Sequence, residues 1–244
     1  MLRRCKQIMN LKKQIMVRRD FLKLGVTVPL GAMVIANELL WQVQPVQAAE
    51  SPPSLTPDAA LQKLIEGNQR FIQHQAQYPD QTAERLQEVA QAQHPFATVL
   101  TCADSRVPVE LVFDQGVGDI FDVRIAGNIA TPEARGSIEY AATLLGTPLL
   151  MVLGHERCGA VTAAVQNEKL LGDISTFVKA IKPAVERVKD QPGDAVENAV
   201  IANVQYQIEQ LQRSQLLTER LNSGQLKIVG GRDDLDTGRV TLIS

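Results

Sequence analysis

The chain has 244 residues, 45% of them hydrophobic and 21% charged, with a formal net charge of −2. That composition excludes collagen-like and disordered chains, and three cysteines (Cys5, Cys102 and Cys158) exclude a multi-bridge secreted scaffold. The charge is unevenly spread: residues 1–48 hold eight basic and two acidic side chains, and the rest 17 basic and 25 acidic. A body that is acidic and has no basic run predicts no nucleic-acid partner.

The basic leader reads Arg18-Arg19-Asp20-Phe21-Leu22-Lys23 before a mostly apolar run from Leu24 to Ala36. Thirteen residues are short for a membrane span but suit the apolar core of a signal peptide. Val46-Gln47-Ala48 supplies small residues at −3 and −1 of a cleavage site. The paired arginines resemble a twin-arginine export signal, with Met16 as an alternative start. The expected organisation is therefore a signal over residues 1–48, cleaved after about Ala48 or kept as an anchor. A linker over 49–57 and one domain over 58–244 follow. The expected partner of the leader is the twin-arginine machinery, and the expected compartment is the periplasm or, by the same signal, a thylakoid lumen.

In chain order, Thr56-Pro57-Asp58 caps a first helix whose apolar stripe is Leu61, Leu64, Ile65 and Phe71. A second helix is predicted over Gln81–Gln93. Short apolar runs predict buried strands over Phe96–Thr101, Asp119–Ile125, Leu149–Leu153 and Leu226–Gly230, with an edge strand over Arg239–Ile243. Helical patterns lie between them, over Pro132–Leu145, Ala160–Asn167, Ile174–Asp190 and Asp194–Leu211. Alternation of this kind predicts an α/β fold: a central, mostly parallel sheet flanked by helices, with an N-terminal helical arm. Ligands of such sheets sit at the carboxyl ends of the strands.

The body's only two cysteines fall there. Cys102 follows the first strand, His155 the third, and Cys158 lies where the next helix begins. Two thiolates and an imidazole suit zinc, and three protein ligands leave a fourth position open, as in catalytic sites. Spacing alone equally allows two buried, inert cysteines or a Cys102–Cys158 disulfide.

The flanking residues go further. Cys102-Ala103-Asp104-Ser105-Arg106 and His155-Glu156-Arg157-Cys158-Gly159 resemble the two signature motifs of the β-class carbonic anhydrases. Leu64–Phe71, Phe121–Asn128, Ser137–Ala141 and the closing Gly230–Gly238 segment are similar in the same order, so the resemblance spans about Leu61 to Ile243. It implies one Zn2+ per chain on Cys102, His155 and Cys158, and reversible hydration of CO2 to bicarbonate and a proton by zinc-bound hydroxide. It makes Asp104 and Arg106 the pair that orients the nucleophile. It places Gln93, Phe121, Ala126, Tyr140 and Gly159 around the substrate. Because Gln and Tyr come from the neighbouring subunit in several members, it also implies a homodimer or a dimer of dimers.

Other residues read more plainly. His74 and His94 are expected at the surface, Gly116-Val117-Gly118 as a turn, and Glu156 and Arg157 as helix-start charges. The inhibitory bicarbonate site of some members uses Trp, Arg and Tyr, where this chain has Val99, Arg124 and Asp233. One of three implies that the switch is missing and that the zinc keeps its water near neutral pH. CS2 or COS hydrolysis on the same scaffold and a non-catalytic zinc-binding protein are the competing readings.

Overall fold

The computed structural model describes residues 55–168 and 170–243; the leader, its cleavage site and most of the linker lie outside them. The elements are α1 (Pro57–Ile72), α2 (Ala83–Val89), β1 (Ala97–Thr101), α3 (Val109–Val112), β2 (Ile120–Arg124), α4 (Pro132–Thr143) and β3 (Leu149–His155). They continue with α5 (Gly159–Gln166), α6 (Ile174–Val188), α7 (Ala195–Leu211), α8 (Gln215–Asn222), β4 (Lys227–Asp233) and β5 (Val240–Ile243). No described helix is long and apolar enough to cross a membrane.

The strands form one sheet in the order β2-β1-β3-β4-β5. The first four are parallel, and β5 pairs antiparallel with β4 at the edge. β1 and β3 are buried along their whole length, which is why they read as continuous apolar runs rather than alternating ones. Ala97, Val99, Leu149, Met151 and Leu153 face α1 and α3 on one side of the sheet. Leu100, Leu150 and Val152 face α4, α7 and α8 on the other. Gly154 in β3 lets α7 cross closely, because a Cβ there would stand 2.8 Å from Val204. A third apolar cluster, of α5, α6 and the start of α7, closes over the carboxyl end of the sheet and includes Cys102 and Cys158.

The N-terminal helix packs against the sheet. Ala60 and Leu64 are fully buried. Asn68 donates to the carbonyls of Val112 and Gly238 and accepts from the Val240 amide, tying α1 to α3 and β5.

Three local expectations change. The second helix is seven residues, not thirteen: Thr82 caps it, and it buries no side chain fully, so little beyond the bonds of Arg85 to Val117 and Asp119 ties it down before Pro95. The short α3 and α8 have no counterpart in the sequence pattern; α8 buries only Leu217, too little for a periodic signal. His155 closes β3 instead of following it.

Candidate metal centre

Strand order reverses between β1 and β3. The chain leaves β1 for β2 on one side and returns past it to β3 on the other. The carboxyl ends of these two strands therefore frame a crevice. Cys102 follows the last residue of β1, His155 ends β3, and Cys158 is the N-cap of α5. All three side chains are buried, and their ligand atoms lie within 4.8 Å of one another.

The geometry of the triad fits zinc. The two sulfurs are 4.0 Å apart and both cysteines are free. A disulfide needs about 2.05 Å, whereas tetrahedral zinc with bonds of about 2.3 Å sets two sulfurs about 3.8 Å apart. His155 donates its Nδ1 proton to the Glu156 carbonyl at 2.8 Å. That bond fixes the tautomer, leaving the Nε2 lone pair for a metal. Nε2 is buried and has no hydrogen-bond partner. A completely buried nitrogen aimed at two sulfurs is costly unless an ion completes the set.

The electrostatics agree. The contact with Cys158 and the imidazole of His155 hold the Cys102 thiol well below its ordinary range, against the effect of burial. The same contact, with burial, pushes Cys158 up. Burial opposes charge on His155, but the nearby Cys102 sulfur, the Glu156 carbonyl and the Asp104 carboxylate together raise the ring's pKa. A divalent cation binds such thiols by displacing their protons.

Beside the triad, Arg106 grips Asp104 with its planar fork: Nε to Oδ1 at 2.9 Å and Nη2 to Oδ2 at 2.7 Å. The Arg106 amide donates to Oδ1 as well, at 3.0 Å. The Arg106 side-chain bonds hold Asp104 well below the usual carboxylate range. Oδ2 stands 3.7 Å from His155 Nε2, at the mouth of the triad and not in it. Arg124 fastens this segment from β2, donating to the Cys102 and Asp104 carbonyls at 3.2 and 2.5 Å.

The remaining sequence-derived positions are more scattered. Ala126 is half-buried against the cluster that contains Cys102 and Cys158. Gly159 is exposed at the start of α5, and a Cβ added there meets nothing within 4 Å. Phe121 pairs in register with Thr98, four residues before Cys102 along β1. Tyr140 is 44% exposed on α4, its ring tilted against Phe121 with centroids 6.3 Å apart. Gln93 is exposed and precedes β1, so within one chain the length of that strand, about 16 Å, separates it from Cys102. His74 and His94 are exposed.

Glu156 and Arg157 are not helix-start charges. Glu156 accepts from Arg232 at 2.9 Å and from the Leu235 amide at 2.9 Å, and Arg157 pairs with Asp236 at 2.8 Å. They clamp the ligand-bearing turn to the 234–239 loop, a contact nearly eighty residues away that no local pattern signals.

An open site of two sulfurs and one nitrogen, at the carboxyl end of a parallel sheet, defines a zinc enzyme that activates water. The carbonic anhydrase family model matches residues 97–240. Carbonic anhydrase 2 of Mycobacterium tuberculosis is 40% identical over 195 residues, covering 78% of this chain and 94% of that protein. The carbonic anhydrase of Mycolicibacterium smegmatis is 40% identical over 197 residues, covering 79% and 96%. Among solved structures, the β-carbonic anhydrase CcaA superposes with a TM-score of 0.61 at 28% identity, covering 75% of this chain and 95% of that one. CafA of Aspergillus fumigatus gives 0.62 at 26%, covering 77% and 90%. The chain belongs to the carbonic anhydrase family, in its β class, and is a zinc-dependent enzyme of reversible CO2 hydration.

Proposed function

We propose that Cys102, His155 and Cys158 hold one Zn2+ and that the Asp104–Arg106 pair directs the reaction at its open position. The observation that carries this is the buried, unpartnered Nε2 of His155, facing two sulfurs 4.0 Å apart. When bound, the metal acts as a Lewis acid and lowers the pKa of a coordinated water from about 15.7 toward neutrality. Asp104 Oδ2, kept ionised by Arg106, accepts the hydrogen bond of the attacking oxygen and so turns its lone pair toward CO2. Arg106 keeps the carboxylate from swinging onto the metal. Ala126 gives the small linear substrate an apolar wall, and the bare face of Gly159 leaves room for the product anion.

In this reading Gln93 and Tyr140, which are exposed here, complete the site from a second copy of the chain as a homodimer or dimer of dimers. Two β-carbonic anhydrases of Sordaria macrospora that share the fold (TM-score 0.63, 23% identity) are tetrameric. Export through the twin-arginine route to the periplasm would deliver the protein folded, with metal already shielding both thiols. Val99 is fully buried among apolar side chains and Arg124 is engaged with backbone carbonyls, which supports a site without the bicarbonate switch.

Stopped-flow CO2 hydration by zinc-loaded, chelator-stripped and reloaded protein tests the function. Activity that disappears with the metal and returns with it is expected. One zinc per chain without CO2 hydration would overturn the assignment and favour CS2 or COS as substrate.

A further inference from the structure

Two buried amides on α7 have no part in the mechanism above. Asn203 is fully buried and Gln207 is 2% exposed, one turn apart on the same helix face. Their hydrogen bonds have a fixed polarity. The Ala130 amide donates to Gln207 Oε1 at 2.9 Å, so Gln207 Nε2 must face Asn203 Oδ1, which it does at 3.0 Å. Asn203 Nδ2 is thereby turned to the Gly127 carbonyl, at 2.8 Å. Gly127 and Asn128 both adopt left-handed backbone, with φ of +74° and +43°. A Cβ at Gly127 would also meet Ile181 at 2.5 Å. In that held conformation the Gly127 amide donates to Cys102 Sγ at 3.3 Å.

We infer that Asn203 and Gln207 are positioning residues for the metal ligand Cys102: through the 125–131 loop they keep the Gly127 N–H on its sulfur. The inference rests on the reading of Cys102 as a zinc ligand. A hydrogen bond to a thiolate draws charge off the sulfur, so less is passed to the metal. With two thiolates in the set, that withdrawal keeps the centre acidic enough to activate water. Burying two amides is costly where apolar side chains of similar volume would pack as well. Their role is to hold the far side of Gly127, the residue whose N–H touches the sulfur.

The test uses the full chain loaded with zinc or cobalt(II), with Asn203→Ala, Gln207→Glu and, as control, Leu211→Ala on the same helix. Asn203→Ala is expected to weaken zinc binding about tenfold to a hundredfold. It should also move the thiolate-to-cobalt charge-transfer band to lower energy. Gln207→Glu, which keeps the acceptor for Ala130 but loses the donor to Asn203, shifts both the same way by less. It decides the matter if Asn203→Ala does not fold. Leu211→Ala lowers stability and moves neither. Folded relay variants with wild-type zinc affinity and an unmoved band would overturn the inference. Retention of zinc with unchanged affinity in Cys102→Ser would instead overturn the ligand assignment.

Discussion

Two aspartates in neighbouring loops are each gripped by an arginine, and their surroundings differ. Asp114, after α3, accepts from Arg70 Nε at 2.6 Å and from the Gln77 and Tyr78 amides at 2.9–3.0 Å. It is 3% exposed, both of its oxygens are occupied by the chain, and it ties α1 and the loop behind it to the end of α3. Asp104, after β1, is held as firmly by Arg106, yet its Oδ2 also looks toward a histidine nitrogen without a partner. The pairing is common to both. In the proposed reaction, what separates the structural carboxylate from the working one is whether the chain uses up its lone pairs.

The largest effect that would sharpen this contrast is at the metal. Cys158→Ser replaces a soft thiolate by a hydroxyl that stays protonated, so zinc content by atomic absorption should fall far below one per chain and hydration to background. Next come the two aspartates themselves. Asp104→Asn keeps the shape but weakens the acceptor, and kcat/KM should fall about 10²- to 10³-fold, with the melting temperature nearly unchanged. Asp114→Asn should do the reverse: it loses about 2–3 kcal/mol in denaturant unfolding, while kcat per folded molecule is retained. An Asp114 variant that is stable but slow would break the comparison.

A third aspartate carries the opposite sign. Burial, helped by Glu110, pushes Asp122 on β2 up to about 6, against the pull of Arg124. Its folded-state pKa lies above its unfolded value of about 3.9, so between those values the folded chain holds a proton that the unfolded chain has lost. Asp122 therefore lowers stability as pH rises through that window, by on the order of 1–2 kcal/mol. Asp114, whose bonds to Arg70 and the two amides outweigh burial and lower its pKa, contributes stability that is lost as pH falls. Denaturation midpoints across pH 4 to 7 should show the Asp122 slope, and Asp122→Asn should remove it. The smallest effect is at the surface. Arg187 and Glu209 pair at 2.6 Å but are both 44% exposed, and Arg187→Ala should cost only about 0.5 kcal/mol.

The comparison also marks what a sequence can show. Cys102 and His155 were legible because they follow and end apolar runs, and Cys158 because it starts the next helix; in a parallel sheet such strand ends are where chemistry gathers. The pairing of Asp104 with Arg106 was legible from the motif around Cys102. Asp114 carried no signal, because its partners lie 36 to 44 residues away. Asn203 and Gln207 reach across 76 and 77 residues to a loop whose shape depends on two positive φ angles, and on a helix they look like polar interruptions of a buried face. β1 and β3 were plain because both of their faces are covered. The brief α3 and the mostly exposed α8 bury too little to leave a period.

The most direct test of the role given to Asp104 is a crystal structure of the zinc-loaded protein at neutral pH. Zinc on Cys102, His155 and Cys158, with a solvent oxygen in the fourth position and Asp104 still held by Arg106, is the predicted result. An Asp104 carboxylate bonded to the metal, with Arg106 turned away, would contradict it.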